Sequence, residues 1–314
     1  MTREAVVDDA ERDEAGVATL LGAEAEGEVA AAEERARSRR RARRWRLAGR
    51  YLVLTLLSLI VLFPIYIMVI SSLLIAPDQL TQRPPALIPT DPQWGTYSDA
   101  WVGGNFGAYL RNSAIVTALI VVGQVITSIL AGYAFALLEF PFKRAIFVIF
   151  LATMMVPFEV TIVTNLTTIT DLGWFNSYQA LVVPFLALGF GAFLLRQAFL
   201  QIPRDLRDAA TVDGYGHLRF LARVAVPLAR PMIAALAVFS FLGAWNQYLW
   251  PLLVTRDDEL RTVQIGLEFL RNSSPQDFNV LFAGSVMAVV PLFVLLVVFQ
   301  KQLIRGLTAG AVKG

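Results

Sequence analysis

The stretch 51-YLVLTLLSLIVLFPIYIMVISSLLIAP-77 contains no charged residue. A bilayer core about 30 Å thick is crossed by roughly 20 apolar residues in a helix. This run is long enough to cross, and longer than the roughly 7–15 apolar residues of a cleavable signal peptide. It also starts well into the chain, at Tyr51, so it reads as a retained first span. Further apolar runs follow at Asn112–Leu138, Ala145–Thr170, Leu172–Leu195, Pro231–Thr255 and Phe278–Gln300. Backbone groups cannot stay unpaired in lipid, so each run is expected to be helical unless it lines a cavity. The expected fold is all-α and polytopic, with about six transmembrane helices near 51–74, 112–138, 145–167, 176–199, 231–253 and 279–302. Only Asp171, Gly173 and Asn176 mark the turn between the third and fourth.

Composition agrees. Of the 314 residues, 56% are hydrophobic and 17% charged, against about 25% charged in a soluble domain. With no cysteine and the single histidine His217, disulfides, thiolate chemistry and multi-imidazole zinc sites are excluded. His217 itself reads as an exposed loop residue without a catalytic role.

Charge placement orients the chain. Residues 1–48 form an acidic, then arginine-rich tail ahead of a membrane domain, 49–314. Nine arginines fall within residues 35–50. Beside an apolar span such a cluster reads as an anchor to anionic headgroups rather than a nucleic-acid-binding arm. With both termini in the cytoplasm, 22 of the 27 Lys and Arg lie inside, and only Arg83, Arg111, Arg256, Arg261 and Arg271 lie outside. The reverse topology violates the positive-inside tendency. Outer residues 77–110 are rich in Pro and Gly and carry Trp94, Tyr97, Trp101, Phe106 and Tyr109. These aromatics read as an interfacial belt, or as a docking face for an external partner.

Catalytic patterns are missing. There is no G-x-x-x-x-G-K-[ST] phosphate loop, no G-x-S-x-G and no H-E-x-x-H. Glu159 is the main charge within a span. It reads equally as an intramembrane functional acid or as a residue at a helix break facing outward.

The inner segment 196-RQAFLQIPRDLRDAATVDGYGHLRFLARVAVPLAR-230 is too long and too charged for a tight membrane turn. Asp205–Val212 reads as a short helix ended by Gly214 and Gly216, since Gly terminates helices at little cost. A second basic amphipathic stretch, His217–Val226, leads to Pro227. The pair forms a knob, residues 203–228, that another protein could grip. Asp208 alone would read as an ordinary acid near a helix start; its spacing to Gly214 and Pro227 is what singles it out.

That pattern, Asp208-Ala209-Ala210 with Asp213, Gly214 and then Pro227, resembles the EAA loop of ABC-importer permeases, whose first residue is usually Glu. Asn246-Gln247-Tyr248-Leu249-Trp250-Pro251 resembles the fifth-span motif of permeases for sugars and glycerol phosphate, where Glu or Asp commonly stands at the position of Gln247. Ala131–Ala136 with Phe140-Pro141 also fits. The ending Arg305–Gly314 resembles the tail of the maltose-type second permease subunit. The resemblance covers the chain from about residue 50 and implies a type I importer permease of a bacterial cytoplasmic membrane. It implies four kinds of partner: a second, homologous permease, two ATPase subunits, an external solute-binding protein and a carbohydrate solute. ATP and Mg would be bound by the ATPases and no cofactor by this chain. It further implies ATPase docking at Asp208, Ala209, Ala210, Asp213, Gly214 and Pro227, and tail contacts through Thr308, Gly310 and Lys313. Asn246 and Gln247 read equally as inter-helix hydrogen-bond partners or, with Tyr248 and Glu159, as lining of the solute path. A stand-alone secondary transporter is the alternative.

Overall fold

The computed structural model describes residues 43–74, 87–273 and 278–309, and these are helical with connecting loops and no strand. The chain divides into two compact units, Met1–Tyr66 and Ile67–Gly314. Helix α1, Arg43–Leu73, begins ahead of the expected Tyr51, because the preceding Arg and Ala residues are good helix formers. Its side chains from Arg43 to Tyr66 are exposed all round, as suits a helix that meets lipid or a partner.

After the end of α1, the second unit continues with a short turn, α2 (Gly95–Ser98), and then α3 (Phe106–Leu137). α3 has no proline, and its inner face mixes polar and apolar residues. Its buried positions, Phe106, Tyr109, Asn112, Ser113, Val116, Thr117, Ile120, Gln124, Ser128 and Gly132, recur every three or four residues, the spacing of one helix face. Leu119, Val122, Ile126 and Leu130 point outward. Lipid is as apolar as leucine, so small and polar residues hold such helices together.

The third to fifth runs are helical but not straight. α4 (Lys143–Thr153) and α5 (Phe158–Asp171) meet at 93°, and α6 (Tyr178–Val182) and α7 (Gly189–Leu200) at 42°. The expected single helices over 145–167 and 176–199 are therefore each broken. The cause is local: Pro157 caps α5, and Pro184 lacks the N–H that would pair with the Ala180 carbonyl. Long-range donors fill the gaps. Trp250 Nε1 donates to Ala180 O at 2.9 Å, Gln124 Nε2 to Phe185 O at 2.9 Å and Thr127 Oγ1 to Leu186 O at 2.8 Å. Met154 lies against Gly189, and Phe158, Phe185 and Trp250 form an aromatic trio with centroids 5.2–6.2 Å apart. The breaks thus adjoin and are sealed by side chains, as non-helical backbone in a membrane requires. The turn between α5 and α6 falls at Gly173 (φ +70°) and Asn176 (φ +58°).

α8 (Arg204–Val212), α9 (His217–Phe220) and α10 (Val226–Leu228) form the knob. α11 (Arg230–Trp245), α12 (Leu249–Val254), α13 (Val263–Ser273) and α14 (Phe278–Ala309) complete the fold. α14 continues past the expected end at 302. Its Pro291 breaks the amide ladder, and Trp245 Nε1 donates to Ala288 O nearby at 3.2 Å.

Three apolar clusters hold the unit together. One joins α3, α5, α6 and α12 around Ile120, Leu181 and Val254, and one joins α3, α11, α13 and α14 around Phe106, Tyr109 and Trp245. The third gathers Tyr133, Leu195, Phe199 and Leu236 with Ala210, Phe220 and Leu221 of the knob. Away from lipid, burying a Phe or Leu contributes about 1.5–3 kcal/mol, so Phe220 and Leu221 fasten the knob. The end of α3 beside it is satisfied by charge: Arg196 Nε donates to Phe135 O, and Lys143 Nζ to Ala136 O and Leu138 O. Cations are favoured at a helix C-terminus, where carbonyls lack partners.

Candidate functional site

Pro203 precedes α8 and Asp205 lies in its first turn, where an acid suits the helix dipole. α8 ends in a Schellman motif. Gly214 takes φ +73°, Tyr215 N–H donates to Ala210 O at 2.8 Å, and Gly214 N–H to Thr211 O at 3.0 Å. Tyr215 then packs in the same cluster as Ala210, the apolar contact that accompanies this motif. Ala210 faces inward, while Asp208, Ala209 and Asp213 are exposed. Gly216 caps α9, a π-turn at Leu221–Ala225 follows, and Pro227 sits in α10. At Ala229 the chain turns by 80° into α11. The sequence places the knob's helices and its glycine, but not the π-turn.

Two side chains escape sequence reading. Val212 is 88% exposed and Leu218 77% exposed. They flank the Gly214 turn, on a segment that also carries Arg204, Asp205, Arg207, Asp208, Asp213, Arg219 and Arg223. Both apolar groups thus stand in the open among charges. The signal in the sequence was an apolar residue on each side of D-G-Y-G.

Asn246, Gln247 and Tyr248 occupy the break between α11 and α12, so the expected span over 231–253 is also interrupted. Asn246 Nδ2 donates to Leu242 O at 2.8 Å, and its Oδ1 accepts from Gln264 Nε2 at 3.4 Å. Gln247 Oε1 is buried without a hydrogen-bond partner among the described residues. Tyr248 is exposed. Glu159 is exposed in the first turn of α5, immediately after the break at Pro157. Its neighbour Phe158 touches Trp250, so the Glu159 and Asn246–Tyr248 segments approach one another. Thr308 falls near the end of α14, whereas Gly310 and Lys313 lie outside the described residues.

Residues 124–308 match the family described as the binding-protein-dependent transport system inner membrane component. The chain belongs to this family. It is 37% identical over 269 residues to the sn-glycerol-3-phosphate transport system permease protein UgpE of Agrobacterium fabrum, covering 82% of this chain and 94% of that one. The protein of the same name from Yersinia pestis is 35% identical over 257 residues, covering 79% and 91%. Among solved structures, a bacterial ABC transporter involved in the import of the acidic polysaccharide alginate superposes with a TM-score of 0.71 at 23% identity, covering 80% of this chain and 93% of that chain. The alginate transporter in complex with its pentasaccharide-bound periplasmic protein gives 0.58 at 16% identity, covering 84% and 96%. The fold is that of an importer permease, and the chain is a multi-pass permease component of a binding-protein-dependent importer.

Within this permease, the matched region contains the knob, both broken spans and the Asn246–Tyr248 break, and leaves α1 outside. A cavity of about 930 Å³ lies elsewhere, between α3, α11 and α14. It is lined by Leu110, Ala118, Phe241, Trp245 and Met287, with Arg111 the one charged group. A hydroxyl-rich solute would find few partners there, and a binding site needs placed polar groups.

Proposed function

We propose that the chain is one of two homologous permease subunits of an ATP-driven importer for a carbohydrate or polyol phosphate. The solute class rests on relatives named for sn-glycerol-3-phosphate transport. Two ATPase subunits bind ATP and Mg, an external binding protein delivers the solute, and both termini lie in the cytoplasm. The knob is the coupling element: Asp208, Ala209, Asp213 and Gly214 face the ATPase, Ala210 fastens α8 inward, and Pro227 starts the return to the membrane. Thr308, Gly310 and Lys313 reach the ATPases from the tail. Asn246, Gln247 and Tyr248, with Glu159, line the solute path, and the unpartnered Gln247 Oε1 supports that placement.

The observation that carries this reading is the exposed tip of the knob. Val212 and Leu218 stand in the open on a short helical lever whose base is packed and whose end is fixed by Gly214. A partner cleft would cover them. Val212→Asp is expected to lower recovery of the ATPase in affinity purification through this chain by at least about tenfold, since burying an unpaired carboxylate costs several kcal/mol. The variant should fold normally, because residue 212 touches little within the chain. Undiminished recovery would show that the tip is not the docking surface.

A further inference from the structure

We propose that α3 is the rod that carries movement of the knob to the opposite end of the permease, with Tyr133, His217 and Asn112 as its positioning residues. This rests on the coupling role of the knob.

Among the described helices of the second unit that cross its width, α3 alone is unbroken and free of proline. The third, fourth and fifth runs are bent or interrupted, and α14 contains Pro291. A displacement at one end of a broken helix can be absorbed at the break. From Asn112 to Tyr133, α3 rises about 31 Å as one piece. Coupling over such a distance requires a rigid element attached at both ends.

At the knob end one polar contact stands beside the apolar packing. A cavity of about 470 Å³ separates the end of α3 from the knob, lined by Leu137 and Glu139 on one side and by Arg207, Thr211 and Gly216 on the other. Across it, the Tyr133 hydroxyl and His217 Nδ1 lie 3.3 Å apart, with the two rings edge to face. Among the described residues this is the one hydrogen bond between the knob and the spans. Tyr133 is buried, and its ring also meets Phe199 edge-on at 6.1 Å. Its body is therefore fixed to α7 while its hydroxyl reaches the first residue of α9. Ala210, Phe220 and Leu221 add apolar contacts.

At the opposite end α3 grips a loop. Asn112 is fully buried. Its Nδ2 donates to Glu259 O at 2.6 Å and Arg261 O at 3.0 Å, and its Oδ1 accepts from the Tyr178 hydroxyl at 2.8 Å. Ser113 Oγ accepts from Val263 N–H at 2.7 Å. Residues 259–263 thus follow α3, as does the start of α6. Asn176 ties the neighbouring strip to the same loop, accepting from Arg256 N–H and Asp257 N–H and donating to Asp257 Oδ2. A shift of the knob that carries Tyr133 would move this outer layer through a continuous hydrogen-bonded path.

The test uses the full transporter, reconstituted with its ATPases, second permease and binding protein. Tyr133→Phe removes one hydroxyl and keeps the ring packing. The expected result is intact assembly, unchanged basal ATP hydrolysis and about a five-fold fall in solute moved per ATP, the factor that one hydrogen bond of ordinary net strength supplies. His217→Ala should match it, and the double variant should be no worse than either single one. His217→Asn, whose Oδ1 replaces Nδ1, should retain coupling. A Tyr133→Phe transporter with the normal ratio of solute to ATP, or single effects that add in the double variant, would overturn the proposal. The Gly214→Phe variant separates this from the wider reading. If Gly214→Phe uncouples and Tyr133→Phe does not, only the rod fails. If neither uncouples, the knob is not the coupling element.

Discussion

Gly214→Phe abolishes solute-stimulated ATP hydrolysis by the assembled transporter, whereas Gly214→Asn keeps it. Two separable costs lead to this expectation. The first lies in the chain: at φ +73° a residue with a Cβ is disfavoured by about 1–2 kcal/mol, and asparagine by less. The second lies outside it. Nothing among the described residues stands within 4 Å of the position a Cβ would take, so a side chain here starts in open space. Thermal unfolding of the isolated permease in detergent should fall by only a few degrees for either variant. A large loss confined to the phenylalanine variant, and seen only in the complex, would then be a clash with the partner. Equal behaviour of the two variants in the complex would place this turn away from any partner.

Gly132→Leu is expected to prevent recovery of folded protein. A Cβ at this position falls 2.9 Å from Arg196 N, 3.0 Å from Leu195 Cβ and 3.1 Å from Leu195 C. Two of these atoms are backbone of α7, so no rotamer change relieves the contact. α3 and α7 must separate, which also stretches the bond from Arg196 Nε to Phe135 O and loosens Leu195 and Phe199 beneath the knob. Overpacking of this kind costs about 1–3 kcal/mol, and more where backbone cannot yield. Gly243→Leu is the control, since nothing lies within 4 Å of its Cβ position. The check is the monodisperse fraction in size-exclusion chromatography, with Gly243→Leu near wild type. A well-behaved Gly132→Leu protein would refute the close approach of these helices.

The features legible in the sequence are those set by near neighbours. Continuous apolar runs announce the helices of α1, α3 and α14. Arg204–Val212, Gly214 and the turn at Gly173 and Asn176 follow from helix and turn chemistry acting over a few residues. The bends were hidden, because an apolar run containing Pro184 reads as one span until Gln124, Thr127 and Trp250 are seen to satisfy the broken backbone. Those partners lie some 60–70 residues away along the chain. The break at Asn246–Tyr248 was hidden for the same reason: polarity within a span reads as glue or as pathway equally well. The contact between Tyr133 and His217 joins residues 84 apart, and neither side chain announces the other. Exposure at Val212 and Leu218 was also beyond reach, since which face of a short helix packs inward depends on where α3 and α7 end.

The most direct measurement of the central claim is solute uptake and ATP hydrolysis in proteoliposomes, with the purified chain alone and with its second permease, ATPases and binding protein. The account predicts neither activity from the chain alone. In the complete complex, uptake should require ATP, and hydrolysis should rise when the loaded binding protein is added. Gradient-driven uptake by the chain alone, indifferent to ATP and to the binding protein, would contradict it.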